Sequence, residues 1–388
     1  MFRRFKGSYL SYIFIFFFFF FCMGAFTSVI SIYLAGIDIG VADISRIVSA
    51  GGIFAFATIP ITGYLCDLTR RPRLIAGLMM VLVGIFALVF SASRTVLWLF
   101  ILYGLTMSFI SGTQPVFERL AGSSKYRYGI LRVWGTVGYA IGAQAAGWII
   151  GNLSTVILFI TIMAAGLLCA LGCAGAENPI NKDSEPVSEE KPKVRLSSFL
   201  SNPHYLLFFA ITVLFWGCSG VNMTYVPLLL QGLNVSTDTV GTVIFFSTLV
   251  EIPLILFSNR FMDKFSGKFL IFFACTLTLI EFAVYGLVPS APVVIAVIVL
   301  LKAIATTTYV MIILKVVTNL VPQESRTTGM SIINTGSSLG GILMQNIGGM
   351  IVEASSIQTL YLVMGGLMLL TILLASLLKV KNDVKVFD

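Results

Sequence analysis

Four ionisable residues lie inside long apolar runs: Arg132, Glu251, Glu281 and Lys302. A charge in the hydrocarbon of a bilayer costs roughly 2.5–3.5 kcal/mol on insertion scales, so each is a functional candidate by default. The four charges sum to zero. Pairing between them removes most of the burial penalty and leaves contacts that a substrate or a proton can break. Glu251 sits about thirteen residues into its run, near the midplane of a span, and is the candidate proton site. Burial favours the neutral form of a carboxyl and a nearby cation favours the charged form, so a moving cation loads or releases a proton. A permanent Glu251–Lys302 clamp between two helices is the competing reading. Arg132, a turn or so inside its helix, either snorkels to the headgroups or forks onto a carboxylate or paired hydroxyls of a bound solute.

The elements that carry these residues follow from composition. Of 388 residues 57% are hydrophobic and 11% charged, against roughly 25% charged in soluble domains. Apolar runs between charged or Gly/Pro/Asn-rich breaks give twelve spans, at 8–35, 41–65, 74–92, 97–117, 129–150, 154–174, 204–230, 238–258, 268–288, 291–314, 328–350 and 357–378. Such runs are far longer than the ~10-residue alternating strands of a barrel, so an all-α membrane protein is expected. One hydrophilic stretch, 177–203, separates a six-helix bundle at 1–176 from another at 204–388.

Counting alternate loops, 21 of the 25 Lys and Arg residues fall on one side of the membrane, with only Arg46 and Arg94 opposite. The positive-inside rule makes that side cytoplasmic, with both termini and the linker on it. The net charge of +8 is thereby explained without nucleic acid. The six cysteines form no C-x-x-C pair, so neither a metal site nor a disulfide framework is indicated, and no cofactor is expected. Arg3-Arg4-Phe5-Lys6 precedes an apolar run too long for a signal peptide and reads as the flank of a retained first span.

The halves repeat. Gly63-Tyr64-Leu65-Cys66-Asp67-Leu68-Thr69-Arg70-Arg71 after span 2 has a counterpart around Asp263 after span 8, offset by 196 positions. Spans 5 and 11 pair Gly135 with Gly336, Gln144 with Gln345 and Gly147 with Gly348. Two parallel six-helix repeats around a midplane cavity are a common build of secondary transporters. The pattern at Gly63, Asp67, Arg70 and Arg71, with its degenerate copy at Asp263, resembles the loop between helices 2 and 3 of the major facilitator superfamily. Tyr128-Gly129-Ile130-Leu131-Arg132-Val133-Trp134-Gly135-Thr136-Val137-Gly138-Tyr139 is similar to a stretch of the lactose-permease-like group. Glu251-Ile252-Pro253 with Ser258-Asn259-Arg260 is similar to the phenylpropionate-permease branch.

The resemblance implies a plasma-membrane carrier, monomeric, that moves a small polar solute with protons. A sugar or oligosaccharide is favoured; aromatic acids, nucleosides or drug efflux are the alternatives. It implies Glu251 and Lys302 for proton coupling, and Arg132, Gln114, Trp134, Asn222, Tyr225 and Tyr309 for substrate. Gly63, Asp67, Arg70, Arg71 and Asp263 act as a cytoplasmic latch. Glu281, on a helix peripheral in that fold, suits a structural hydrogen bond. Span 10 reads Lys302-Ala303-Ile304-Ala305-Thr306-Thr307-Thr308-Tyr309, without the His and Glu of lactose permeases, which argues against lactose itself and leaves coupling to carboxylates. Gln144, Asn334, Gln345 and Trp216 are further polar or aromatic candidates, with interhelical hydrogen bonding as the plainer role. An enzyme is disfavoured. Gly217-Cys218-Ser219-Gly220 puts Ser219 on the same span as the lone His204, Gly336-Ser337-Ser338-Leu339-Gly340 lacks a strand-to-helix turn, and no nucleotide loop occurs.

Overall fold

The computed structural model describes residues 6–177, 202–257, 262–321 and 326–380. Among these the chain forms helices and short connections, with no strand. The helices are α1 (Tyr9–Gly36), α2 (Val41–Thr69), α3 (Pro72–Ala92), α4 (Val96–Gly122), α5 (Tyr128–Asn152), α6 (Thr155–Gly175), α7 (Pro203–Gly232), α8 (Thr237–Leu256), α9 (Gly267–Leu287), α10 (Ala291–Leu320), α11 (Arg326–Ala354) and α12 (Ile357–Leu377). Residues 178–201 of the expected linker, Asn259 and Arg260, and Arg3, Arg4, Lys381 and Lys385 lie outside the described residues.

Ten of the twelve are long and apolar enough to cross a membrane. The other two, α5 and α11, reach 25 and 29 residues but carry glycine, threonine, asparagine and glutamine, with serine as well in α11. These are the pair that repeat each other in sequence. Small residues let helix backbones approach closely in lipid, where no hydrophobic drive holds helices together.

The chain divides into two compact units, Met1–Lys182 with Val226–Leu249, and Asp183–Tyr225 with Val250–Asp388. In the first, α1 packs on α5 and α6, α2 on α4, and α3 on α4 and α6. A side chain at Gly138 or Gly142 of α5 would strike the Phe17 or Phe21 carbonyl of α1. In the second, α9 packs on α10 and α12, while Gly217 and Gly340 bring α7 and α11 into backbone contact. Helices 1 with 5 and 3 with 6 thus pair within the first unit as 7 with 11 and 9 with 12 do within the second. The Phe16–Phe21 run fills the core: Phe16, Phe19, Phe20 and Phe21 are buried, and the Phe19 ring lies 5.1 Å from that of Phe117.

Local chemistry sets the ends. Ser8, Ser154, Ser266 and Ser356 cap α1, α6, α9 and α12 by accepting a backbone N–H, which satisfies one of the orphan donors of a helix start. Arg70, at φ 54°, ends α2 in the left-handed region, and Pro72 opens α3, where its missing N–H costs nothing. Pro253 removes a backbone donor from α8 two residues past Glu251. A π turn, Ile298–Lys302, interrupts α10 and ends on Lys302.

The glycine contacts give a direct expectation. Gly138→Val forces α1 and α5 apart and should cost roughly 1–3 kcal/mol, lowering the fraction of monodisperse protein after heating in detergent. At Gly63 an added Cβ meets open space, so Gly63→Ala should leave that fraction unchanged. Equal heat resistance of Gly138→Val and the parent would sink the packing argument.

Candidate functional site

The last turn of α2 carries a charge contact. Arg119, at the end of α4, donates to the Asp67 carboxylate at 2.9 Å, with Asp67 70% and Arg119 50% exposed. Arg70 serves as the helix cap, and Arg73 reaches the Ala176 carbonyl at 2.9 Å. In the second unit Lys315 of α10 stands 3.6 Å from Asp263, the two side chains 1% and 5% exposed. Its ammonium also donates to the Met262 and Phe265 carbonyls. Asp67 and Asp263 are 196 positions apart, and so are Arg119 and Lys315. One ion pair therefore occurs twice, wet in the first unit and dry in the second.

In the first unit, Gln114 donates to Glu118 at 3.2 Å along α4. Arg132 of α5 lies over the Phe20 ring, 4.1 Å from its centroid, and both Arg132 and Glu118 are charged neighbours of Tyr128. Gln114, Glu118, Tyr128 and Arg132 thus share one region, lined by an aromatic ring. Trp134 donates its indole N–H to Tyr9 at 2.9 Å, which ties it to the start of α1.

In the second unit, Glu281 is 1% exposed, and one of its oxygens accepts from Asn222 at 2.6 Å and from Tyr285 at 3.0 Å. Tyr361 of α12 donates to the Asn222 carbonyl oxygen at 3.1 Å. Both ends of the Asn222 amide are therefore engaged. Lys302 is the charged neighbour of both Glu281 and Glu251. Tyr309 is buried, stacked on Phe215 at 3.7 Å and bonded to Thr212 at 3.1 Å. Tyr225 is buried as well, and Gln345 accepts from Thr224 at 3.3 Å.

The structure brings Glu251, Lys302 and Glu281 into one neighbourhood. It also brings Arg132 and Gln114 together through Glu118 and Tyr128, while Trp134 faces Tyr9. The ion-pair partners of Asp67 and Asp263 escaped the sequence reading: Arg119 and Lys315 were counted only as cytoplasmic charge. The 196 offset, applied to bases as well as acids, would have found both.

A sequence model described as the MFS_1-like family matches residues 9–363. The transporter YwbF of Bacillus subtilis strain 168, described as uncharacterized, is 24% identical over 329 residues, 84% of this chain and 81% of that one. A maltose permease of Geobacillus stearothermophilus is 24% identical over 345 residues, 87% of this chain and 86% of that one. Among solved structures, the nucleoside transporter NupG superposes with a TM-score of 0.82 at 14% identity, covering 95% of this chain and 98% of its own. A bacterial homologue of the lysosomal transporter Spinster gives 0.74 at 14% identity, covering 97% of each chain. With twelve helices in this order, a paired Asp67 loop and a family match over nearly its whole length, the chain belongs to the MFS_1-like family of major facilitator transporters.

Proposed function

We propose that the protein is a proton-coupled symporter of the plasma membrane that imports a sugar or oligosaccharide by alternating access. The observation that carries the reading is the cluster of two carboxylates and one lysine set in α8, α9 and α10, away from the helix ends. Such groups are expensive in a bilayer and recur as proton relays. The sugar preference rests on the Gln114, Glu118 and Arg132 arrangement beside aromatic rings, which suits hydroxyl-rich solutes, and on the maltose permease relative. In the first unit Arg132, Gln114 and Trp134 are assigned to substrate; in the second, Asn222, Tyr225 and Tyr309 are. Asp67, Gly63, Arg70 and Arg71 act with Arg119 as the latch that opens, and Asp263 with Lys315 forms its fixed counterpart in the second unit. The working unit is a monomer with both termini cytoplasmic.

The test is uptake of labelled maltose, a nucleoside and an aromatic acid into proteoliposomes, with and without an inward proton gradient. Gradient-dependent accumulation of maltose is expected; accumulation of the nucleoside or the acid alone would replace the sugar assignment. Topology is tested separately by cysteine substitution in the 178–201 stretch and an impermeant thiol reagent on sealed cells. No labelling from outside is expected, and external labelling would reverse the orientation.

A further inference from the structure

Glu281 is a buried carboxyl with two branches of polar partners, and the branches differ in what they can do with a proton. Helices α8, α10 and α12 begin on the face of the membrane where α7 and α9 end, the outer face in the proposed orientation. At about 1.5 Å per residue from that face, Tyr285 lies ~3 Å in, Tyr361 ~6 Å, Glu281 ~9 Å, Asn222 ~15 Å, Lys302 ~16 Å and Glu251 ~21 Å. All six belong to the second unit, and Glu281, Tyr285, Asn222 and Tyr361 are each at most 3% exposed. One branch runs outward. Tyr285, a helical turn nearer the end of α9, donates its hydroxyl to Glu281 at 3.0 Å. The other branch crosses to α7 and α12: Asn222 donates an amide N–H to the same Glu281 oxygen at 2.6 Å, and its own carbonyl oxygen accepts from Tyr361 at 3.1 Å. Tyr225 stands beside Tyr361. Lys302, the charged neighbour of both Glu281 and Glu251, lies on the inward side of Glu281.

A phenol hydroxyl is donor and acceptor at one atom, so it can take up a proton on its oxygen as it gives its own away, and ends unchanged. A primary amide donates from nitrogen and accepts at oxygen, so a proton passed through it leaves the imidic tautomer behind. We propose that Tyr285 and Glu281 form the path by which protons from the outer face reach Lys302 and Glu251, with Asn222 and Tyr361 holding the Glu281 carboxyl in place. In each passage the Tyr285 O–H bond breaks as its proton goes to the Glu281 carboxylate, and the phenol oxygen takes a proton from water at the rim. Lys302 then gives one proton to Glu251 and is recharged by Glu281. Phenol, ammonium and Glu281 end as they began, and one proton has moved inward. Ionisable groups inside spans recur in such relays. The path deepens the symport reading and rests on it.

The test compares two rates in one set of proteoliposomes, accumulation under an inward proton gradient and counterflow without one, for whichever of labelled maltose, a nucleoside and an aromatic acid the parent accumulates. Tyr285→Phe keeps the ring and removes the hydroxyl. Accumulation should slow by about tenfold or more, while counterflow, which moves substrate with no net proton, stays near the parent rate. Tyr361→Phe deletes an equally buried hydroxyl from the amide branch and should leave accumulation within about twofold of the parent. Accumulation by Tyr285→Phe at the parent rate overturns the path. So does equal slowing by the two variants, or loss of counterflow along with accumulation in Tyr285→Phe, because either makes the hydroxyl a structural tie. Should Tyr285→Phe fail to fold, Glu281→Gln decides by the same two rates: it still accepts from Asn222 and Tyr285 but takes no proton, so slow accumulation with intact counterflow is expected, and accumulation at the parent rate overturns the path. A parent that equilibrates substrate without responding to the gradient overturns symport and the path together, whereas a parent that accumulates alongside an equally fast Tyr285→Phe overturns the path alone.

Discussion

Lys315→Met is expected to destabilise the second unit by about 3–5 kcal/mol, the usual cost of removing one partner from a buried ion pair. The substitution leaves the Asp263 carboxylate, 5% exposed, without its lysine, and takes the ammonium donor from two backbone carbonyls. Heating the purified variant in detergent should show a large drop in its unfolding temperature. Lys315→Met combined with Asp263→Asn should recover part of the loss, because no lone charge remains. At the repeated position the outcome differs. Asp67 and Arg119 are both solvated, so Asp67→Asn costs at most about 1 kcal/mol and the protein folds normally. Its effect is expected in the cycle: slower transport, with equilibrium substrate affinity within a few-fold of the parent. An unchanged unfolding temperature for Lys315→Met, or a collapse of affinity in Asp67→Asn with turnover intact, would refute the division of labour. The physical reason for that division is burial. A wet pair is weak enough to open in every cycle, whereas a dry pair is a fixed joint.

How much of this was readable beforehand depends on the kind of signal. Runs of apolar residues set the twelve helices, because a bilayer demands internally hydrogen-bonded segments of about 20 residues. The Asp67 motif was equally legible as a pattern, yet its partner was not. Arg119 is separated from it by 52 residues, and a base at a cytoplasmic helix end needs no special explanation. Glu251 and Lys302 were visible as costly residues in apolar runs, and so was Glu281. What sequence could not supply was which faces of α7, α8, α9, α10 and α12 meet. Asn222, read as a substrate contact, also links Glu281 and Tyr361, a tie among three helices that no single-helix periodicity encodes. Glu281 and Tyr285, four residues apart on α9, did share one face from the start, and that spacing was the available hint.

Glu251→Gln is expected to abolish gradient-driven accumulation of substrate while allowing exchange of internal for external substrate at a near-normal rate. Glutamine keeps the size and hydrogen-bonding capacity of the protonated acid but cannot release a proton. With Lys302 and Glu281 left as a neutral pair, the carrier can reorient loaded, as exchange requires, yet gains nothing from a proton gradient. The reading is decided by two rates on one vesicle preparation, net uptake under an inward proton gradient and counterflow without one. Continued accumulation by Glu251→Gln ends its role in coupling. A second result would end it differently: if Glu251→Gln misfolds, but the double variant with Lys302→Met folds and accumulates substrate, then Glu251 was only half of a clamp whose unpaired lysine caused the defect. If Glu251 carries the coupled proton, the double variant should instead fold, exchange substrate and fail to concentrate it.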